Sequence, residues 1–375
     1  MLSRVQPGLR SLSVPQSTTP TVDEVMPSTP HSINDDVLGV ICAMLDKDEL
    51  EQIVLVDKRL REISLPLLFR RVRFSFEYCE DVWKSATEDV EDMLASTVFN
   101  TVVGHTRSLD IRILNNKNEY TMPPILPSRL AEFLSAPFRQ LRTLVLSIDE
   151  TEAQFFDDEF GKAGIDLPTV TSLMVGAYCD FMVPLCPNVE HVATFGRVWL
   201  CSNRGRTSRE HSFKLIAAVS GAKKLQHFEM YEKWSVGLLQ AVYDAMPSIG
   251  TLTLDGARVI DSLLALIPIL SQFKRLKTLG LVSASLLDVG FDFPRIANAR
   301  TRPGGREMLK RRREQVDAAN KWIANTVFLA CANLDVLVLD NIDKATVTRG
   351  QGRRIQDIQW CVEEQQKIAE VYYLY

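Results

Sequence analysis

The chain has 375 residues, which is enough for two or three domains or for one elongated array of repeats. Hydrophobic residues make up 46% and charged residues 24%, as is typical of a folded globular protein. The formal net charge of -4 gives no reason to expect a nucleic acid or an anionic membrane as the partner. No apolar run approaches the ~20 residues that a membrane-spanning helix requires. Seven cysteines without framework spacing indicate reduced thiols, and therefore a cytoplasmic or nuclear protein.

The first 31 residues have the composition of a disordered tail. They carry five prolines and many serines and threonines, and no acidic residue precedes Asp23. Such a segment cannot bury enough apolar surface to offset the entropy of ordering it. We therefore predict that residues 1–31 are disordered.

Residues 32–70 have the pattern of three short helices, in which apolar residues recur at helical spacing. Ser32 with Asp35 fits a capping box, and Asn34 is a second candidate for the N-cap. A unit of about forty residues is too small to bury a self-sufficient core, so it needs a partner surface. The apolar positions of the unit are Ile33, Val37, Leu38, Ile41, Leu45, Leu50, Val54, Val56 and Leu60.

This unit resembles an F-box. The F-box motif opens with a Leu-Pro pair and a helix, and it ends in a Val-x-Lys-Arg-Trp-like segment. The matching pieces are Ile33-Asn34, the apolar stripe, and Val56-Asp57-Lys58-Arg59-Leu60. Asn34 stands where the family has proline, and Leu60 stands where it has tryptophan. The resemblance implies that the nine apolar residues contact a Skp-family adaptor, and the alternative is an ordinary helical hairpin that opens a globular domain.

Residues 71–104 are predicted to be an acidic connecting segment. Apolar and polar residues alternate over 71–76, which predicts a half-buried strand that starts the next domain. From 77 to 92 the chain carries seven acidic residues and one lysine, Lys84. Because apolar residues in the same stretch could line one helical face, the acids predict the solvated surface of a helix.

A phrase of leucine, two variable residues, leucine, one variable residue and leucine recurs between residues 105 and 345. Helical runs and short lead-ins containing proline or asparagine precede most copies, so each unit reads as helix, turn and strand. The clear copies are 141–146, 170–175, 225–230, 249–254, 276–281 and 334–339, and 107–111 and 189–192 are degenerate copies.

These units resemble leucine-rich repeats. The resemblance implies an α/β fold in which an irregular solenoid of parallel strands and helices follows the helical unit. The spacing between copies varies from 19 residues (173 to 192) to 58 residues (279 to 337), and the long interval either hides an extra unit or holds an insertion. The asparagine that usually follows the last leucine is missing, so we expect less uniform turns. The alternative is a doubly wound α/β domain, although no glycine-rich phosphate loop follows any of the strands.

Two further segments complete the predicted organisation. A basic insertion near 294–315 contains Lys310 to Arg313. It reads either as a nuclear localisation signal or phosphate-binding patch, or as a charged helix face. Residues 346–375 are predicted to form a C-terminal cap on the last repeat, with the aromatic stretch 371–375 as a capping strand.

The sequence carries no recognisable catalytic motif. A Walker loop, a dinucleotide fingerprint, a His-Glu-x-x-His helix and a nucleophile elbow are all absent. Cys179, Cys186 and His191 fall within thirteen residues, but their spacing matches no common structural zinc site. We therefore predict no catalytic residue, no cofactor and no metal, and we expect a binding protein.

The order of tail, F-box-like helices and leucine-rich repeats is similar to that of the F-box/leucine-rich-repeat proteins. The resemblance implies a non-catalytic substrate-recognition subunit of an SCF-type ubiquitin ligase. Its F-box would bind a Skp-family adaptor joined to a cullin scaffold, and its repeats would bind a protein substrate. The alternatives are a leucine-rich-repeat scaffold without a ligase, an enzyme with an unrecognised site, and a nucleic-acid binder that uses the basic cluster of residues 310–313.

The variable positions of the repeats are the candidate substrate-binding residues. In parallel strands these positions stack side by side about 5 Å apart, and they face away from the leucines. His191 and His227 occupy the same register, and Tyr231 is the best candidate for an anchor. The alternative is that these side chains are solvated strand positions without a partner. The candidates are Arg142, Glu190, His191, Gln226, His227, Glu229, Tyr231, Asp255 and Lys277.

Overall fold

The computed structural model describes residues 33–76, 81–114, 121–194, 209–259, 261–291, 293, 304–340 and 343–362. The predicted tail 1–31, Ser32 of the predicted capping box, residues 294–303 of the basic insertion and the aromatic stretch 371–375 lie outside the described residues. Among the described helices, none combines the length and the apolar character that crossing a membrane demands.

The described chain begins with three short helices, α1 (Asp35–Ala43), α2 (Lys47–Ile53) and α3 (Lys58–Leu68). Each begins at a polar N-cap, because the Asn34, Asp46 and Asp57 side chains accept hydrogen bonds from backbone N–H groups of the first turn. The helices meet at Cys42 and Ser64, both buried, where the serine Oγ donates to the cysteine Sγ at 3.6 Å. The three-helix pattern predicted for residues 32–70 is thus present from Asp35 onward.

A mostly parallel sheet of eleven strands follows, and its spatial order is the order of the sequence. Only the pairs at the carboxyl-terminal end, β9 with β10 and β10 with β11, are antiparallel. The sheet contains no reversal of strand order, which a doubly wound sheet requires at its switch point. The strands are β1 (Arg71–Ser75), β2 (Ser108–Ile113), β3 (Thr143–Ile148), β4 (Ser172–Val175), β5 (His191–Thr194), β6 (His227–Trp234), β7 (Thr251–Val259), β8 (Thr278–Leu281), β9 (Val336–Leu339), β10 (Asp343–Arg349) and β11 (Ile355–Val362).

Helices connect most of the parallel strands, which makes the protein an α/β fold. Two of them, α9 and α10, lie directly before β7 and β8, where the sequence predicts helical runs ahead of the phrase. The connecting helices are α4 (Val82–Ala95), α5 (Phe99–His105), α6 (Ile125–Leu134), α7 (Ala153–Ala163), α8 (Arg209–Val219), α9 (Val236–Ala245), α10 (Leu263–Leu270) and α11 (Gly305–Ala330).

The leucines of the repeating phrase form one face of the sheet and pack against the helices. In β3, for example, Leu144 and Leu146 are fully buried. They belong to a single core that runs without interruption from Phe74 to Ala345. The buried residues Cys42 and Leu50 of the first helices are not part of that core. The strand positions predicted from the leucines are therefore confirmed, and these strands form one continuous sheet.

The same pair of hydrogen bonds starts each of the strands from β2 to β9. At the start of β3, the Arg107 carbonyl accepts from the Arg142 N–H at 2.8 Å and from the Thr143 N–H at 3.0 Å. Identical pairs of bonds are accepted by the carbonyls of residues 70, 142, 171, 190, 226, 250 and 277. The turns before the strands are therefore uniform, because one backbone group fixes the register of each unit to the next.

Two side-chain hydrogen bonds lie in the lead-ins to the strands. The Asn188 Nδ2 donates to the carbonyl of Pro168 at 2.8 Å. The Asn333 Nδ2 donates in the same way to Lys274 at 2.9 Å. These two bonds add side-chain contacts to the backbone pattern at the β4–β5 and β8–β9 junctions.

The segment 71–104, predicted to be a connector, supplies β1, α4 and α5. The predicted strand at 71–76 is confirmed, since β1 pairs in parallel with β2. The predicted acidic helix is α4, whose Trp83 and Val90 are buried while Glu88 and Asp92 are exposed. This segment therefore supplies the first strand of the sheet.

The long interval between β8 and β9 holds a helix of 26 residues, α11, and no strand among its described residues. This favours the insertion over the hidden repeat. Lys310 to Arg313 lie on α11, where Lys310 and Arg311 pair with Glu314 and Glu307. Residues 346–362 of the predicted cap take part in the β10–β11 hairpin, which covers the edge of β9.

Candidate functional site

Helix α1, its flanking residues and the turn after α2 expose a set of apolar side chains, which we call the helix surface. The exposed fractions of its members lie between 44% and 82%. Single exposed apolar residues are ordinary, but four of these recur at helical spacing from Val37 to Met44 and therefore share one face of α1. An exposed apolar face of this kind marks an interaction site. The members of the helix surface are Ile33, Val37, Val40, Ile41, Met44, Leu55 and Val56.

The residues predicted to bind an adaptor divide into three groups. Ile33, Val37, Ile41 and Val56 are exposed and belong to the helix surface. Leu38, Leu45, Val54 and Leu60 are half-buried. Leu50 is only 6% exposed, so its side chain stabilises the three-helix unit from inside.

Three members of the helix surface are missing from the sequence-based prediction. Val40 and Met44 follow Val37 at spacings of three and seven residues, so they extend the same helical stripe. Leu55 lies in the turn after α2 and carries no periodic signal. The helical spacing could have identified the first two, whereas the third depends on how the helices pack.

Arg59 ties the start of α1 to α3. Its guanidinium forms an ion pair with Asp35 at 2.6 Å and donates to the carbonyl of Ile33. An exposed ion pair contributes at most about 1 kcal/mol to stability. The arginine therefore acts mainly by positioning Ile33 at the edge of the helix surface.

The second surface, which we call the sheet face, is the side of the sheet opposite the buried leucines. Strand pairing aligns its side chains in rows that run across the sheet. The first row is Arg71, Ser108, Thr143, Ser172, His191, His227, Thr251, Thr278 and Val336. The second row is Arg73, Asp110, Val145, Met174, Ala193, Glu229, Thr253, Gly280 and Val338.

Side chains on the sheet face are crowded between neighbouring strands. Val145 and Ala193 are buried although they point away from the helices. A Cβ atom added to Gly280 would lie 2.8 Å from the Thr253 Cγ2 atom. Small residues are therefore needed at several positions of this face, because adjacent strands approach one another closely there.

A histidine pair lies in the first row. His191 and His227 are direct neighbours in register, and their ring centroids are 5.7 Å apart. The His191 Nδ1 lies 3.4 Å from the Ser172 Oγ. Burial, with a smaller contribution from His227, lowers the pKa of His191 below its ordinary value. The lowered pKa favours the neutral imidazole of His191, which can donate or accept hydrogen bonds.

Two acidic residues lie near the histidine pair, Glu229 on β6 and Asp255 on β7. Burial raises the pKa of Glu229, and the nearby Asp255 carboxylate raises it further. Tyr231 is paired in register with Asp255, and its backbone N–H donates to the Thr194 Oγ1 at 2.8 Å. Two carboxylates that repel each other form a site that a cationic group would stabilise.

The remaining candidates lie outside the sheet face. Arg142, Glu190, Gln226 and Lys277 each lie one residue before a strand, where their carbonyls accept the paired hydrogen bonds described above. All four are exposed, and together with the equivalent residues of the other units they form the rim of the sheet. The structure thus brings His191, His227, Glu229, Tyr231 and Asp255 together on the sheet face, and it places the other four on the rim.

Two of the three residues considered as zinc ligands are core residues, and the third, His191, lies on the sheet face. Cys179 and Cys186 are fully buried, and burial raises the pKa of each thiol to about 12. Thiols held protonated in this way are poor metal ligands, because the thiolate is the ligand form. Among the described residues, no three histidine, cysteine or carboxylate side chains converge.

Sequence reasoning also missed a polar cluster at the carboxyl ends of β4 and β6. Tyr178, which has a left-handed backbone (φ 64°), contacts the ring of His211. Ser212 at the start of α8 donates to the buried carboxylate of Glu232 on β6. That carboxylate also accepts from the Lys233 N–H, so both of its oxygens are engaged within the fold. The Ser212–Glu232 contact is thus a structural link between helix and strand.

No protein-family model matches the chain, and no curated protein sequence matches it either. Any functional conclusion therefore rests on the geometry of the helix surface and the sheet face.

Proposed function

We propose that this protein is a substrate-recognition subunit of an SCF-type ubiquitin ligase. In this proposal the helix surface binds a Skp-family adaptor joined to a cullin scaffold, and the sheet face binds a protein substrate. The observation that carries the proposal is the exposed apolar face of α1 in the helix surface. It lies where the sequence resembles an F-box, the motif whose function is to bind such an adaptor.

The size of the helix surface supports a protein partner. Burying one aliphatic side chain contributes about 1.5–3 kcal/mol, and a stable interface covers about 800 Å² on each partner. Seven clustered apolar side chains can form the hydrophobic centre of an interface of that size. The apolar partner surface that a helical unit of this size needs would then come from the adaptor.

The regularity of the sheet supports a leucine-rich-repeat solenoid. Parallel strands in sequence order, with one hydrogen-bond pattern at each junction, are expected when similar units stack on one another. Crowding at Gly280 and Ala193 fits a sheet face on the inner side of a curved array. The β10–β11 hairpin would be the cap that shields the last unit.

The chemistry of the sheet face supports a polar protein segment as the substrate. A lysine or arginine of the substrate would lie against Glu229 and Asp255. The histidine pair would exchange hydrogen bonds with its backbone or its hydroxyl groups, and Tyr231 would supply an aromatic contact. Rim residues such as Gln226 would contact the edge of the same segment.

Affinity purification followed by mass spectrometry tests both halves of the proposal. The wild-type chain should recover the adaptor, the cullin scaffold and a substrate. The double variant Tyr231→Ala with Glu229→Arg should lose the substrate and keep the adaptor. Recovery of binding partners without adaptor or cullin would contradict the ligase assignment.

A second candidate function is a repeat scaffold without ligase association. The departures from the F-box pattern favour it, since Asn34 caps α1 in place of proline and Leu60 replaces tryptophan. In this case the sheet face would bind the same kind of partner, and the helix surface would pack on a protein other than the adaptor. The purification above separates the two candidates.

A further inference from the structure

Three arginines occupy one position on three successive units of the sheet. Arg70, Arg107 and Arg142 each lie on the rim, one residue before a strand. The backbone carbonyl of each accepts hydrogen bonds from two N–H groups of the following unit. This shared hydrogen-bond pattern fixes their register. Neighbouring strands lie about 4.8 Å apart, so the three backbones span roughly 10 Å along the rim. We call the three residues the arginine rim.

The arginine rim is solvent-exposed and has no acidic partner among the described residues. The side chains make only neutral contacts. The Arg107 Nε donates to the Gln140 Oε1 at 3.3 Å, and the Arg142 guanidinium donates to the Thr169 carbonyl at 3.4 Å. These contacts hold the Arg107 and Arg142 guanidinium groups along the rim and leave further N–H donors of each fork available.

The same position is used differently at the other end of the sheet. There Lys277 faces Asp335 across neighbouring units, and the two form an ion pair at 3.0 Å. Like charges opposite one another on adjacent strands are destabilising, and opposite charges are stabilising. The chain therefore accepts repulsion at β1–β3 that it avoids at β8–β9. An anionic partner would convert this repulsion into attraction.

We propose that the arginine rim binds an acidic helical segment of a protein partner. Carboxylates at positions i, i+3 and i+7 of a helix span about 10.5 Å, which matches the rim. Carboxylates on one face of an extended segment, at i, i+2 and i+4, span about 13 Å. Guanidinium forks bind carboxylates in a two-bond geometry, which suits this pairing. The arginine rim uses no residue of the helix surface and none of the five candidates grouped on the sheet face, so this inference does not depend on the ligase proposal.

Fluorescence anisotropy with a labelled alanine-rich helical peptide tests the inference. The peptide carries glutamates at i, i+3 and i+7, and a scrambled peptide of the same composition serves as its control. The variant Arg70→Gln, Arg107→Gln, Arg142→Gln should lose affinity by at least about tenfold, since it removes three charge-assisted pairs. A matched variant on α11, Arg306→Gln, Lys310→Gln, Arg313→Gln, removes the same charge and should bind like the wild type.

Several results would overturn the inference. One is an equal loss of peptide affinity in the rim variant and the α11 variant. Another is binding of the scrambled peptide as tightly as the helical peptide. A third is tighter binding of a poly-uridine oligomer, or of anionic phosphatidylserine vesicles, than of the helical peptide. Thermal unfolding gives an independent readout. The rim variant should unfold at the same temperature as the wild type or higher, because like charges have been removed. A lower unfolding temperature of the rim variant, together with unchanged peptide binding, would show that the arginines stabilise the fold and do not bind the acidic segment.

Discussion

His191 of β5 and His227 of β6 lie side by side in the sheet, with their ring centroids 5.7 Å apart. Burial and, to a smaller extent, the neighbouring imidazole lower the pKa of His191, which favours its neutral form. Glu229 on β6 and Asp255 on β7 supply carboxyl groups beside the pair. This part of the sheet face thus combines neutral hydrogen-bonding groups with an acidic patch. Protonation of His191 would change both the stability of the fold and the charge that a partner meets.

The first prediction follows from the lowered pKa of His191. The folded state binds fewer protons than the unfolded state as the pH falls through the ordinary value of 6.5. Stability should therefore decrease on acidification, and His191→Gln should reduce that decrease by about 1 kcal/mol or less. His227→Gln should give an intermediate slope, because burial is the larger cause and remains. Thermal unfolding measured at several pH values would contradict this account if His191→Gln and the wild type had equal slopes.

The second prediction concerns the acidic patch. The pKa of Glu229 is raised in the folded state, so its ionised form costs stability above that pKa and costs nothing below the ordinary value of 4.5. Glu229→Gln should therefore stabilise the protein at neutral pH by up to about 1 kcal/mol, and the gain should vanish in acid. Urea unfolding at two pH values measures this. Glu190→Gln on the exposed rim is the control, with a change within about 0.5 kcal/mol. A loss of stability in Glu229→Gln at neutral pH would count against the repulsion.

The third prediction concerns Gly256 on β7. Its φ of +154° is unfavourable for other residues, and an added Cβ atom would lie 1.9 Å from the carbonyl oxygen of Glu232. Gly256→Ala should destabilise the fold by about 2 kcal/mol or more, because β6 and β7 would have to separate. Gly237→Ala on α9 has open space around it and should change stability by no more than about 1 kcal/mol, in the favourable direction. Equal stabilities of the two variants would mean that the strands tolerate the extra atom.

Much of the sheet could be predicted from the sequence because its signal is local. Leucines at fixed spacing identify the strands, and prolines in the lead-ins mark where helices such as α9 end. The pairing of His191 with His227 was predictable for the same reason, since both lie at one position of the phrase. The β10–β11 hairpin carries no leucine phrase, so its strands had no such signal.

The division of the candidate residues between surfaces could not be predicted. Leu50 and Val56 look alike in the sequence, but the first is buried among the three helices and the second is 68% exposed. Likewise, Glu190 and His191 are adjacent in the chain, yet one lies on the rim and the other on the sheet face. These differences depend on tertiary packing. They also change the choice of variants, because a charge at Leu50 would unfold the helical unit whether or not it binds a partner.

Binding of a purified Skp-family adaptor, measured by calorimetry, tests the proposed function most directly. Val40→Asp with Met44→Asp places two charges in the helix surface, where the wild-type side chains are 64% and 82% exposed. Unpaired charges in an apolar contact cost several kcal/mol, so adaptor affinity should fall by about a hundredfold or more while the fold persists. The matched control Leu264→Asp with Leu329→Asp changes similarly exposed residues of α10 and α11, and it should bind like the wild type. Wild-type protein that fails to bind the adaptor, or a Val40→Asp, Met44→Asp variant that binds as tightly as the wild type, would contradict the proposal.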